Sequence, residues 1–191
     1  MHIKSSIIML LLAMLVSSCA STPNIYSDFN ASVNFQSYKS FGFFEKLDTD
    51  HRYESLVSQY LKDATIAEMT KRGFIFTEHN SDLLINFHTN VEQKQRVHEI
   101  PIVDRAGYYA YRSHRSYYDV WPSYEIYIEN YEEGTLNIDM VERKSNAMVW
   151  EGIAVGRLSK EKKQNIQSTI EKAVIEIYSQ FPISVPMEKN K

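Results

Sequence analysis

Few side chains in this sequence have the type and spacing for covalent chemistry. Cys19 is the only cysteine, so the chain forms no internal disulfide, and a tetrahedral zinc site would need mostly non-cysteine ligands. His51, His79, His88, His98 and His114 are scattered, with no H-E-x-x-H or other close ligand pair. His88 falls on the polar side of an alternating stretch and reads as a surface residue. There is no Gly-x-Ser-x-Gly elbow, and no Ser-x-x-Lys in a setting that would activate the serine. No glycine-rich phosphate loop occurs either. Glu132 and Glu133 suggest paired carboxylates, but neighbours on a strand point to opposite faces. They read as a solvated pair beside a turn, and Asp139 and Glu151 are uninformative singly. The expectation is a non-enzyme without catalytic residues, metal or cofactor.

Cys19 has a different chemistry in view. Met1-His2-Ile3-Lys4 gives a basic start, Ile7 to Val16 is apolar, and Ser17-Ser18 places small residues before Cys19. That pattern describes a secretory signal peptide over residues 1–18, too short to span a bilayer, which takes about 20 residues. It resembles the bacterial lipobox, in which cleavage precedes a cysteine that has received a diacylglyceryl group. The alternative is an ordinary signal peptide with a cysteine near its end by chance. As a lipid anchor, each buried CH₂ contributes about 0.8 kcal/mol, and several chains are needed for lasting attachment. Ala20 stands where an aspartate would favour the inner membrane in the enterobacterial sorting rule. The resemblance therefore implies the outer membrane, facing the periplasm. Residues 19–24 form a short tether containing Pro23.

The second constellation is aromatic. Eight of the 13 tyrosines fall between Tyr108 and Tyr131, together with Trp121. Tyr108, Tyr109, Tyr111, Tyr117, Tyr118 and Trp121 are interleaved with Arg112 and Arg115. Tyrosine offers a flat apolar face and a hydroxyl at low entropic cost, and arginine adds cation–π contacts and anion forks. The stretch 108–118 reads as an exposed binding surface, because Arg, Ser and His interrupt every apolar pair. Two readings stay open for Tyr124–Tyr131: part of that surface, or a strand buried on both sides. Envelope proteins, glycans and lipid headgroups all suit such chemistry. Nucleic acid does not: 21 Lys+Arg face 24 Asp+Glu, for a net charge of -3.

The elements that must carry these residues can be read from periodicity. With 191 residues, 43% of them hydrophobic, the chain can bury a core in one domain. Strands are expected at Ile25–Phe29 and Ser40–Phe44. A helix capped by Asp50 carries Tyr53, Leu56, Val57, Tyr60, Leu61 and Ala64 and stops at Gly73. From Asp82 the period is two, with a polar continuation through Arg96. Thr135–Val141 and Ala147–Arg157 form a hairpin about Lys144-Ser145-Asn146. Ser159 caps a last helix with Ile166, Ile170, Val174, Ile177 and Phe181 on one stripe, ended by Pro182. The fold class is α+β: a two-layer sandwich of a mainly antiparallel or mixed sheet with two amphipathic helices on one face. The other face is either wet or covered by a Tyr-rich insert at about 98–131. The single domain spans 25–183, and 184–191 is a polar tail.

In that order the pieces resemble a family of bacterial lipoproteins catalogued as domain of unknown function (DUF) 4136. They are Asp28-Phe29, Asn34-Phe35-Gln36-Ser37-Tyr38-Lys39-Ser40-Phe41-Gly42-Phe43, Asp82-Leu83-Leu84-Ile85, the run Tyr131 to Asp139, Val149-Trp150-Glu151-Gly152 and the final amphipathic helix. The resemblance implies a lipid-anchored periplasmic α+β domain and transfers no catalytic residues. Members often carry a Gly/Tyr/Trp-rich insert; here the insert keeps its tyrosines but only Gly107.

The expectation is thus an outer-membrane lipoprotein held by Cys19 that binds an envelope protein or polymer. The alternatives are a structural accessory of an envelope assembly or transport complex, and an uncharacterised hydrolase.

Overall fold

A computed structural model describes residues 22–102 and 123–186. Its centre is a six-stranded mixed sheet in the order β1-β6-β5-β4-β2-β3. The strands are β1 (Asn24–Phe29), β2 (Ser40–Phe43), β3 (Ile75–Phe76), β4 (Leu83–Ile102), β5 (Ser123–Glu142) and β6 (Ala147–Arg157). Three helices, α1 (Leu56–Lys71), α2 (Lys160–Gln164) and α3 (Ile166–Tyr178), complete the fold. β1 runs antiparallel to β6, β6 to β5 and β5 to β4; β2 lies parallel to β3 and β4. This is the α+β sandwich that the alternating and helical periods predict.

Period-two burial explains the sheet's two faces. Leu83, Ile85 and Phe87 of β4 and Leu136, Ile138 and Met140 of β5 are buried toward the helices, with Leu61 and Met69 of α1 and Val174 and Ile177 of α3. An aromatic cluster closes the β1–β6 side. Trp150 stacks on Tyr178 at 5.6 Å between centroids, and Phe181 meets Trp150 edge-on at 5.2 Å. Gly152 makes that stack possible: a Cβ there would lie 2.4 Å from Ile177 and 2.5 Å from the Trp150 ring. A conformationally ordinary glycine is thus required by close approach.

Three boundaries differ from expectation. α1 begins at Leu56, capped by Ser55, whose hydroxyl accepts the Ser58 N–H at 3.0 Å. Asp50 does not cap the helix directly. Its carboxylate accepts the Ser55 N–H at 2.8 Å and the Ser58 hydroxyl, so it braces the cap from outside, and Tyr53 is left 80% exposed. The last helical stripe is broken at Asn165 (φ -113°, ψ 49°) into α2, which Ser159 caps, and α3. The Gly73 stop holds, with φ +88° just past the α1 C-terminus. Finally, β4 and β5 run far beyond the stretches expected of them, which removes 98–102 and 123–131 from the predicted insert.

Candidate functional site

The long strands build an arm. β6 pairs with β5 only from Glu133 to Glu142, and β2 with β4 only from Leu83 to Ile85, yet the β4–β5 ladder continues to Ile102↔Ser123. Gln93–Ile102 and Ser123–Glu132 are therefore a two-stranded ribbon running about 33 Å past the sheet. Cross-strand partners share a face. One face continues the core side and pairs Val97 with Ile128, Glu99 with Ile126 and Pro101 with Tyr124. No helix among the described residues covers it: Val97 is 59% exposed, Ile126 65% and Tyr124 54%. Tyr124–Tyr131 is therefore not the strand buried on both sides that its β-formers allow. The stretch is a strand, but it lies beyond the reach of the helices.

The other face of the arm is held by charge. Arg157 donates to Glu129 at 2.7 Å, its guanidinium lies 3.9 Å from the Tyr131 ring centroid, and His98 Nε2 sits 3.2 Å from the same carboxylate. The hydrogen bonds from Arg157 and His98 hold the Glu129 carboxyl below its usual range. At the arm's root Glu132 accepts Lys163 at 2.6 Å and Gln93 at 3.0 Å, while Glu133 pairs with Lys94 at 3.6 Å on the opposite face. Glu132 and Glu133 do diverge as expected of strand neighbours. They sit mid-strand, however, not beside a turn, and each has a lysine partner.

The open face of the sheet gathers residues that sequence reading treated singly. Register places Asp28 opposite Glu151, Glu151 opposite Asp139, and Asp139 opposite Asn86. Asn86 donates to Asp48 at 2.8 Å and Asn137 to Glu151 at 3.3 Å, but Asp139 Oδ1 is buried without a partner among the described residues. Burial first, then the charges of Glu151 and Asp48, push the Asp139 carboxyl up, with His88 opposing them weakly. Like charges set opposite one another across strands oppose folding. A carboxyl with a raised folded pKa loses its contribution to stability as pH rises through that pKa. Asp139→Asn is therefore expected to raise the melting temperature at neutral pH by about 2 °C. That gain should vanish in acid below the carboxylate range; paired thermal melts across pH check it. Among the described residues no group of three His, Cys, Asp or Glu side chains is placed to hold a metal ion. His88 is exposed, as its position on the polar face predicts.

Cys19 and the binding candidates Tyr108, Tyr109, Tyr111, Arg112, Arg115, Tyr117, Tyr118 and Trp121 lie outside the described residues. Connectivity nonetheless fixes where the second group attaches. The 103–122 segment leaves β4 at Ile102 and re-enters β5 at Ser123, the paired tip of the arm. Val97 was not among the candidates, and Ile126 and Ile128 entered only within the Tyr124–Tyr131 stretch; the period-two spacing of Tyr124, Ile126 and Ile128 is the signal that could have singled them out.

Comparison with known families matches residues 25–183 to the domain of unknown function DUF4136. The chain belongs to this family. The DUF4136 match opens at β1 and runs past α3, so the arm and the segment at its tip fall inside the domain. No curated protein matches the chain in sequence. Among solved structures, a PDZ domain protein from Parabacteroides distasonis is similar at 12% identity and TM-score 0.54, over 91% of this chain and 39% of that one. The chain thus spans about two fifths of that neighbour, and the likeness is one of fold. PelC dodecamers from Paraburkholderia phytofirmans align at 8% and 6% identity with TM-scores of 0.45, over 82% of this chain and 95% of theirs.

Proposed function

We propose that this DUF4136 protein is an outer-membrane lipoprotein, anchored through Cys19 and facing the periplasm, that acts as a non-enzymatic binding module. Its contact surface is the β4–β5 arm with the tyrosine- and arginine-rich segment at its tip. The observation that carries the reading is the arm's uncovered apolar face. A two-stranded ribbon is marginal in water, and leaving Val97, Ile126, Ile128 and Tyr124 exposed on one opposes solubility unless a partner covers them. The ion pairs at its root fix the arm's direction, which reduces the entropy lost on contact. The basic start, short apolar run and Ser17-Ser18-Cys19 supply the address. No helix among the described residues is long and apolar enough to cross a membrane.

The test is site-specific photocrosslinking in intact cells. Probes at Val97 and Ile126 should give one discrete envelope adduct, protein or glycan, whereas a probe at Glu171 on the exposed side of α3 should give none. Ile128→Asp, which alters only an exposed position, should abolish the adduct from Val97. Arm probes that stay unadducted, or label no more than Glu171, would remove the binding role from this surface.

A further inference from the structure

The helix layer does not seal the sheet everywhere. Beside the first turn of α3 an apolar groove of about 340 Å³ opens. Its floor is Leu136 and Ala154, and its walls are Val57 and Leu61 of α1 and Ile166 and Ile170 of α3. On the helix side of the strands Ala154 contributes only a methyl group, while the Leu158 side chain lies over Gly134 and Pro23 over Gly156, all of them part of the lining. Several polar groups around it are already engaged, and Thr89, Thr135, Lys172 and Glu176 also belong to its lining. Thr169 donates to the Lys162 and Asn165 carbonyls, Arg157 serves Glu129, Lys162 donates to the Arg157 carbonyl and Asn90 to Glu92. The floor and walls themselves are apolar and gain from an apolar occupant.

The chain's own N-terminal segment leads out of this groove. Thr22 and Pro23 form part of its lining, and Pro23 packs over Gly156, where a Cβ would come within 3.2 Å of it. β1 then locks to β6 from the Asn24↔Val155 pair onward. Cys19 is three residues upstream of Thr22, so at full extension it lies no more than about 11 Å away. We infer that the groove houses one acyl chain of the lipid carried by Cys19. This rests on the lipid-anchor reading above. Each methylene moved from water into the groove contributes about 0.8 kcal/mol. The remaining chains stay in the bilayer, so the domain is mounted on its anchor rather than swinging on a free tether.

Cells fed a palmitate analogue carrying a diazirine and an alkyne test this on the full chain. After irradiation, the purified protein should carry the probe on Cys19 and an intramolecular adduct on peptides containing Ile166–Ile170 or Leu136. Ala173→Phe, which fills the groove, and Ile166→Glu, at a partly exposed position of its wall, should both keep the label and lose the adduct. A labelled chain without groove adducts, or variants that keep them, overturns the inference and leaves the lipid anchor standing. A chain that takes up no label overturns both. Groove adducts that persist in Cys19→Ala identify the occupant as a membrane lipid and overturn the assignment to the chain's own anchor.

Discussion

Arg72→Ala is expected to lose about 2 kcal/mol of folding stability, since it leaves the buried Glu68 carboxylate with Lys71 alone and removes a charged hydrogen bond to the Tyr178 carbonyl. Arg72 sits at the end of α1 with its side chain 6% exposed, and it ties the two long helices together. One guanidinium nitrogen donates to Glu68 Oε2 at 2.6 Å and to the Glu68 carbonyl at 2.8 Å. The other donates at 2.7 Å to the carbonyl of Tyr178, the last residue of α3, where a cation also complements the helix dipole. The guanidinium further lies over the Tyr178 ring, 5.6 Å from its centroid.

Burial opposes ionisation of Glu68, yet hydrogen bonds from Lys71 and Arg72 outweigh it and hold the carboxyl below its usual range. A depressed carboxyl contributes stability above its unfolded pKa and loses it as pH falls through the folded value. The difference between the parent and Arg72→Ala should therefore be largest at neutral pH and shrink in acid. Urea unfolding at both pH values reads this directly. Arg72→Lys should recover little, because one ammonium cannot reach both Glu68 and the Tyr178 carbonyl with the fork that Arg72 uses. A loss that is independent of pH would mean that packing, not the charge pair, is what Arg72 supplies.

The elements with a buried face were legible in the sequence because burial writes a period. Leu83-Ile85-Phe87 and Leu136-Ile138-Met140 alternate because one side faces the helices, and α3 repeats every three to four residues for the same reason. The arm was only partly legible, since both of its faces meet water: Tyr124, Ile126 and Ile128 alternate on β5, but Val97 stands among Gln93, Gln95 and Glu99 on the paired stretch of β4. The α1 cap was misplaced because Asp50 and Ser55 both suit a helix start. Only the geometry shows the aspartate bracing the serine. The carboxylate row of Asp28, Glu151 and Asp139 depends on strand register between residues far apart in the chain, which composition does not carry. Gly152 and Gly156 were visible as punctuation in β6, but their roles differ. The first lets Trp150 and Ile177 close, and the second lets Pro23 lie against the sheet.

The second large effect concerns the address. Under the proposed anchoring, replacing the Cys19 thiol leaves no atom for a diacylglyceryl group and removes the multi-chain anchor. The parent is accordingly expected to carry the lipid mass and to resist carbonate extraction from the outer membrane, and Cys19→Ala to do neither. The strand pairing of the arm and sheet should be unaffected, because β1 is first paired at Asn24. The decisive measurement is intact-mass analysis of the chain extracted from outer membranes, alongside fractionation of Cys19→Ala. The expected product is a polypeptide that starts at Cys19 and carries diacylglyceryl and amide-linked acyl groups. An unmodified Cys19, or a Cys19→Ala chain that stays in the outer membrane as firmly as the parent, would contradict it.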